Sequence, residues 1–264
     1  MSIAYVAGVG LLGPGLPGWA ASRPILAGTE PYVPAEIHRA AGACLPATER
    51  RRSTRVTRLA LEVASAALGD ADPRALASVF ASSGGEVEVI HGIFDQLAGT
   101  DRRLSPTAFH NSVHNAASGY WSIATGSMSP ADSVCGYDDS FGVGLAEALV
   151  RCAAEGTDVL LVAYDFPPVF PIAEFRPLAA PFGVGLLLRS APETGVFACL
   201  RGEFGAGSEP GQAMSDPALE HLRWGNPAAR SLPLLVALAK GAAADIRLGC
   251  GMGGCLELKV EPWP

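Results

Sequence analysis

Charge is scarce in this 264-residue sequence: 17% of residues are Asp, Glu, Lys or Arg, and only 7% are aromatic. Basic residues are the fewer sign, 19 Lys and Arg against 26 Asp and Glu, for a formal net charge of −7. Nucleic acid as the main partner needs a basic footprint, so that class is excluded. Long hydrophobic runs are also missing. The longest, residues 177–188, contains Pro181 and falls short of the roughly 20 apolar residues of a spanning helix. No membrane span is therefore expected. No basic residue precedes Arg23, so a secretory leader is not expected either, and the expected address is cytoplasmic. The six cysteines (Cys44, Cys135, Cys152, Cys199, Cys250, Cys255) show no CxxC spacing. They read as buried reduced thiols, with no Cys/His pair at zinc-ligand spacing. Neither a metal nor a cofactor is expected.

What is present is apolarity. Hydrophobic residues make up 49% of the chain and mean hydropathy is +0.26. With so little charge, part of this apolar surface is expected to be covered by another subunit. Strand-like runs at Ile3–Val9, Val79–Ser83, Asp158–Tyr164, Phe182–Leu188, Val196–Arg201 and Leu256–Val260 alternate with helical patterns. The helices are expected at Thr48–Leu68, Glu88–Leu97, Ser112–Gly126, Ser140–Glu155 and Leu232–Lys240, with Glu203–Asp216 a Gly-rich loop. This alternation predicts an α/β layered fold. Arg50, Arg51, Arg52, Arg55 and Arg58 would share the outer face of the first of these helices. That face reads either as solvated surface or as a contact for an acidic partner.

Gly8, Gly10 and Gly13 spell GxGxxG directly after a strand, the pattern of a dinucleotide site. Pro14 and Pro17 follow at once and no acidic residue closes a second strand. The glycines are expected to form a tight turn instead. In residues 104–149, His110 and His114 lie four apart beside Asn111 and Asn115, with Cys135 downstream. On one helix both imidazoles would share a face. A Zn pair, a Cys135–His114 nucleophile and base, and a plain hydrogen-bonded polar layer are the three readings.

The same block resembles the N-terminal half of β-ketoacyl synthases, which have the thiolase fold. Asn115–Gly119 matches that family's Asn-x-x-x-Gly helix and Trp121-Ser122-Ile123 the segment after it. Asp138-Asp139-Ser140-Phe141-Gly142 falls at the nucleophile elbow, and Glu155–Leu160 at the entry to the next strand. Residues 6–14 resemble the opening strand and turn, and residues 248–260 the closing Gly-rich loop and last strand. More narrowly, FHNSVHNAASGYWSIATG followed by DDSF and LAEAL is similar to the short ketosynthase-like proteins of bacterial aryl polyene clusters, which are related to chain length factors. The resemblance implies a thiolase-like layered αβαβα fold in a single domain over 1–264. Residues 1–190 would correspond to a nearly complete N-terminal half, and 191–264 to a truncated remnant of the second.

The departures shape the functional expectation. A condensing enzyme of this family needs a thiolate, and the equivalent position is Asp139, with Asp138 and Ser140 as neighbouring registers. None is Cys, and Asp and Ser are good helix N-caps. The family also uses two histidines from its second half, whereas after residue 150 only His221 remains, in a segment that reads as loop. The resemblance thus implies a non-condensing subunit that pairs with a catalytic β-ketoacyl synthase. His110, Asn111, His114, Asn115, Trp121 and Phe141 are candidates for its interface and tunnel wall. An acyl carrier protein is a further candidate partner, through Arg51, Arg52 and Arg55. Two other readings stand beside this one: a truncated acyltransferase or thioesterase using Ser140 or Cys135, and a homodimeric scaffold or carrier-binding module.

Overall fold

The computed structural model describes residues 1–207 and 213–264. In chain order the elements are β1 (Ser2–Leu12), α1 (Trp19–Ala27), α2 (Ala47–Arg52), α3 (Arg55–Leu68), β2 (Ala77–Ala81), α4 (Val87–Ala98), α5 (Pro106–Asn111) and α6 (Ala116–Thr125). Then come β3 (Ala131–Val134), α7 (Ser140–Glu155), β4 (Val159–Asp165), α8 (Ile172–Phe175), β5 (Phe182–Arg189), β6 (Ala198–Ala206), α9 (Pro217–Gly225), α10 (Leu232–Lys240), β7 (Ala244–Gly249) and β8 (Gly254–Pro262). The strands form one mixed sheet in the order β3-β2-β4-β5-β1-β6-β8-β7. β2 is parallel to β3 and β4, and the other pairings are antiparallel. The fold is the mixed, thiolase-like α/β architecture expected. The strands assigned to the second half, β6, β8 and β7, extend this sheet beyond β1.

β4 shows why the sheet is covered on both faces. All seven of its residues are buried. Val159, Leu161 and Ala163 enter one core cluster with Phe141, Leu145 and Leu149 of α7 and the leucines of α10. Leu160, Val162 and Tyr164 enter the other, with Leu59 and Val63 of α3 and Tyr120 and Trp121 of α6. A strand buried on both sides must be apolar at every position, and the VLLVAY run is.

Four sequence expectations are corrected. Gly8 and Gly10 form no turn: they lie inside β1, where a Cβ would stand 2.0 Å from the carbonyl oxygens of Ala67 and Val63 respectively. They are glycine so that α3 can lie directly on the strand. The helix expected at Thr48–Leu68 breaks at Ser53, whose backbone is extended. Thr54 then caps α3 by accepting from the Thr57 amide, so the five arginines do not share one face. The helix expected from Ser112 begins only at Ala116, which places His110 in α5 and His114 in the link. His221 lies in helix α9, not in a loop.

The Gly-rich loop expected from Glu203 starts later, because β6 continues to Ala206; its residues 208–212 lie outside the described residues. The thiols divide, with Cys152, Cys199 and Cys255 buried, Cys250 half-buried, and Cys44 and Cys135 exposed. Among the described residues, no helix is long and apolar enough to cross a membrane.

Candidate functional site

Gly136 leaves β3 and leads through a single 3-10 turn (Tyr137–Asp139) into α7. Tyr137 has φ +55°, a left-handed conformation rare for a bulky side chain. This is a sharp strand-to-helix elbow. Asp139 stands at the N-cap of α7, and its Oδ2 accepts the Gly251 amide at 3.0 Å. The elbow is thereby tied to the β7–β8 loop. Gly142 in the first turn of α7 allows the close approach, since a Cβ there would stand 1.9 Å from the Gly249 carbonyl oxygen. Asp138 takes a 2.6 Å ion pair from Arg176, whose guanidinium also stacks on the Tyr137 ring at 3.8 Å. Ser140 is buried; its hydroxyl donates to the Tyr137 carbonyl (2.7 Å) and accepts from the Gly136 amide (3.1 Å). That hydroxyl is used up in shaping the elbow.

A cavity of about 540 Å³ opens in front of this elbow. Its walls are Tyr137, Asp138 and Asp139, the Gly-rich loop 249–254, and Arg223, Trp224, Arg230 and Arg247 from the last third of the chain. The Arg223 guanidinium holds the Glu220 carboxyl down at about 2 through a two-point contact (2.7 and 2.8 Å). Trp224 and Arg230 stack face to guanidinium at 3.8 Å. These long-range partners were missed in the sequence, where nothing local marks them.

Of the Asn/His candidates, His114 meets Cys135 at the C-terminal ends of β2 and β3, the end from which the elbow leaves. Asn111 is buried, donating to the Arg52 carbonyl and accepting from the Tyr120 hydroxyl. His110 is exposed and meets the Tyr120 ring edge-on. His114 Nε2 lies 2.9 Å from the Ser82 carbonyl oxygen, and Cys135 Sγ contacts the Ser83 carbonyl at 3.6 Å. The two side chains therefore end on adjacent carbonyls, both engaged. Asn115 is exposed at the N-terminus of α6. Trp121 and Phe141 are packed inside this chain's own cores, on opposite faces of the sheet. Among the arginines, Arg52 pairs with Glu49 (3.5 Å), and Arg55 pairs with Glu88 (2.8 Å) and stacks on Phe166; Arg51 is exposed.

Asp165 is fully buried at the end of β4. Its Oδ1 accepts from both Ser82 and Ser83 hydroxyls and from the Ser83 and Gly84 amides. Burial outweighs these bonds and pushes its carboxyl up to about 6.

The fold is shared with several solved structures. One is a chain of the ketosynthase ApeO in complex with its chain length factor ApeC from Xenorhabdus doucetiae (TM-score 0.74, 22% identity, 98% of this chain and 99% of that one). Another is the ishigamide ketosynthase/chain length factor (TM-score 0.71, 14% identity, 100% of both chains). A third is AntDE:AntF, a type II PKS acyl-carrier protein in complex with its ketosynthase bound to the hexaketide (TM-score 0.71, 12% identity, 99% of both). No curated protein matches the sequence. Residues 26–223 match the family model described as β-ketoacyl synthase, N-terminal domain. An elbow at the head of a buried helix, on a sheet of this order, agrees with that match, and the chain belongs to the β-ketoacyl synthase N-terminal domain family.

Proposed function

We propose that this chain is a non-condensing, chain-length-factor-type subunit that pairs with an active β-ketoacyl synthase and shapes its acyl tunnel, in a pathway of the aryl polyene or type II polyketide kind. The observation that carries the reading is Asp139. At the head of α7, where the resemblance puts the thiolate of a condensing enzyme, stands a carboxylate that makes no cap bond to the helix and instead accepts the Gly251 amide. A carboxylate is a poor acceptor of an acyl group from a thioester. Ser140 is no substitute, because its hydroxyl is buried and bonded in both directions. Residues 191–264 are read as the reduced second half, supplying β6, β8 and β7.

The partner face is proposed at the β3 end of the sheet, where the family resemblance puts the subunit interface. β3 is an open edge. α4, which packs on α5, has twelve residues and buries none of them. Phe94 is 62% exposed and Phe109 67%, with Leu97, Val113 and Ile123 also exposed. These exposed apolar side chains support a second subunit as their cover. His110 and Asn115 are exposed candidates for this face and Trp121 of α6 would act from beneath it, whereas Phe141 belongs to the core on the other side of the sheet. α2 presents Arg51 and its neighbours as a contact for an acidic acyl carrier protein.

The test is to purify the chain alone and together with a full-length β-ketoacyl synthase of the same pathway. A one-to-one complex, and no turnover of malonyl thioester by the chain alone, are expected. Turnover by the isolated chain, or failure ever to co-elute, overturns the proposal.

A further inference from the structure

We propose that the elbow cavity is an oxyanion-binding site in which Arg230, held against Trp224, takes a carboxylate or phosphate group. Arg230 carries five N–H donors. Among the described residues its guanidinium makes no hydrogen bond and no ion pair, and its Nε is buried without a partner. A buried guanidinium donor left unpaired is costly. The ring of Trp224 holds its plane at 3.8 Å but supplies no acceptor.

Among the described residues, the carboxylates nearby are already engaged. Asp138 is held by Arg176, Asp139 by the Gly251 amide, Glu220 by Arg223 and Trp224, and Glu257 by Arg247. Burial lowers the pKa of Arg230, and the charge of Arg223 adds to this; together they outweigh the opposing pull of Asp138, Asp139 and Glu220.

Space and geometry agree. The cavity of about 540 Å³ holds a small organic acid with room to spare, and Arg223 and Arg247 line the same wall. A planar guanidinium fixed on an aromatic face is preorganised for two-point contact with a carboxylate or phosphate. The inference does not depend on a ketosynthase partner. It concerns the isolated chain, so its failure would leave the subunit proposal standing, and the reverse.

The experiment is calorimetric titration of the purified full-length chain with malonate and, separately, inorganic phosphate, at ionic strength matched with chloride. Saturable binding of either anion is expected. Malonate alone identifies a carboxylate site, phosphate alone a phosphate site, and both a general oxyanion site. Arg230→Gln should weaken binding about tenfold or more, the loss of a charge-assisted bond, while Arg102→Gln at an exposed position should not. If Arg230→Gln fails to fold, Trp224→Leu replaces it, and a weakened affinity is again expected. No saturable binding of either anion overturns the proposal. So does affinity unchanged in the cavity variant, or lowered equally by Arg102→Gln.

Discussion

Asp139 Oδ2 accepts the backbone N–H of Gly251 at 3.0 Å, so the head of α7 and the β7–β8 loop are fastened to each other across more than a hundred residues of chain. The bond has a steric companion. A Cβ on Gly249 would stand 2.2 Å from Asp139 Oδ1. Asp139→Ala should therefore cost about 1–2 kcal/mol, the loss of a charge-assisted bond to a backbone amide. Gly249→Ala should cost at least as much by pushing the carboxylate off its donor. Urea unfolding of the two variants measures both. An Asp139→Ala protein as stable as the parent would show that the contact holds nothing in place.

Gly10→Ala is expected to be worse than either. The new methyl would stand 2.0 Å from the Val63 carbonyl oxygen and under 3 Å from the Ala67 amide nitrogen, and both are helix backbone that cannot swing aside. α3 would have to lift from β1, at about 3 kcal/mol. Thermal unfolding reads this directly, and a change under 1 °C would contradict it.

Asp165 gives a pH dependence whose sign is opposite to that of most carboxylates. Its folded pKa is raised from the ordinary 3.8 to about 6, so the native state holds its proton where the unfolded chain has released it. Stability from this group is full below about pH 4 and is lost as pH rises through 6. A shift of about 2 units corresponds to ~3 kcal/mol. Asp165→Asn removes the titration while keeping an acceptor for the Ser82 and Ser83 hydroxyls. The difference in stability, variant minus parent, should grow between pH 4 and 6 and then level off. A flat difference would refute the assignment.

Phe94→Asp and Phe109→Asp probe the proposed partner face. Both side chains are mostly in water in the isolated chain, so each change should move the melting temperature by no more than about 0.5 kcal/mol equivalent. Co-elution with the ketosynthase should be lost. A complex of undiminished affinity would put the interface elsewhere.

The sequence was most readable where one pattern had one cause. α7 and α10 begin and end at the expected residues, because their apolar spacing is helical and Gly156 and Gly241 stop them in the left-handed conformation. β4 was legible because both of its faces are buried. The break at Ser53 was hidden, since arginines continue on both sides of it and only the Thr54 cap marks the new start. Gly8 and Gly10 looked like a turn because glycine reports a lack of room without saying what occupies it. The elbow cavity was half legible. Asp138, Asp139 and Ser140 were found by resemblance, but Arg176, Arg223, Trp224 and Arg230 come from distant elements whose meeting no local pattern encodes.

β1 lies between β5 and β6, pairing Tyr5 with Arg189 and Ile3 with Arg201. Every partner of this strand therefore lies far along the chain, whereas β2, β3 and β4 find each other within a much shorter span. Closing so long a loop is entropically slow. Assembly should then run in two stages: a β2–β4 unit under α7 first, and β1 threaded into its slot only after β5 and β6 exist. Pulse-labelling hydrogen exchange should find the β4 amides protected before those of β1. Until that insertion, β5 and β6 each keep an open edge, and this kinetic window is when the chain is most exposed to mispairing with another copy of itself.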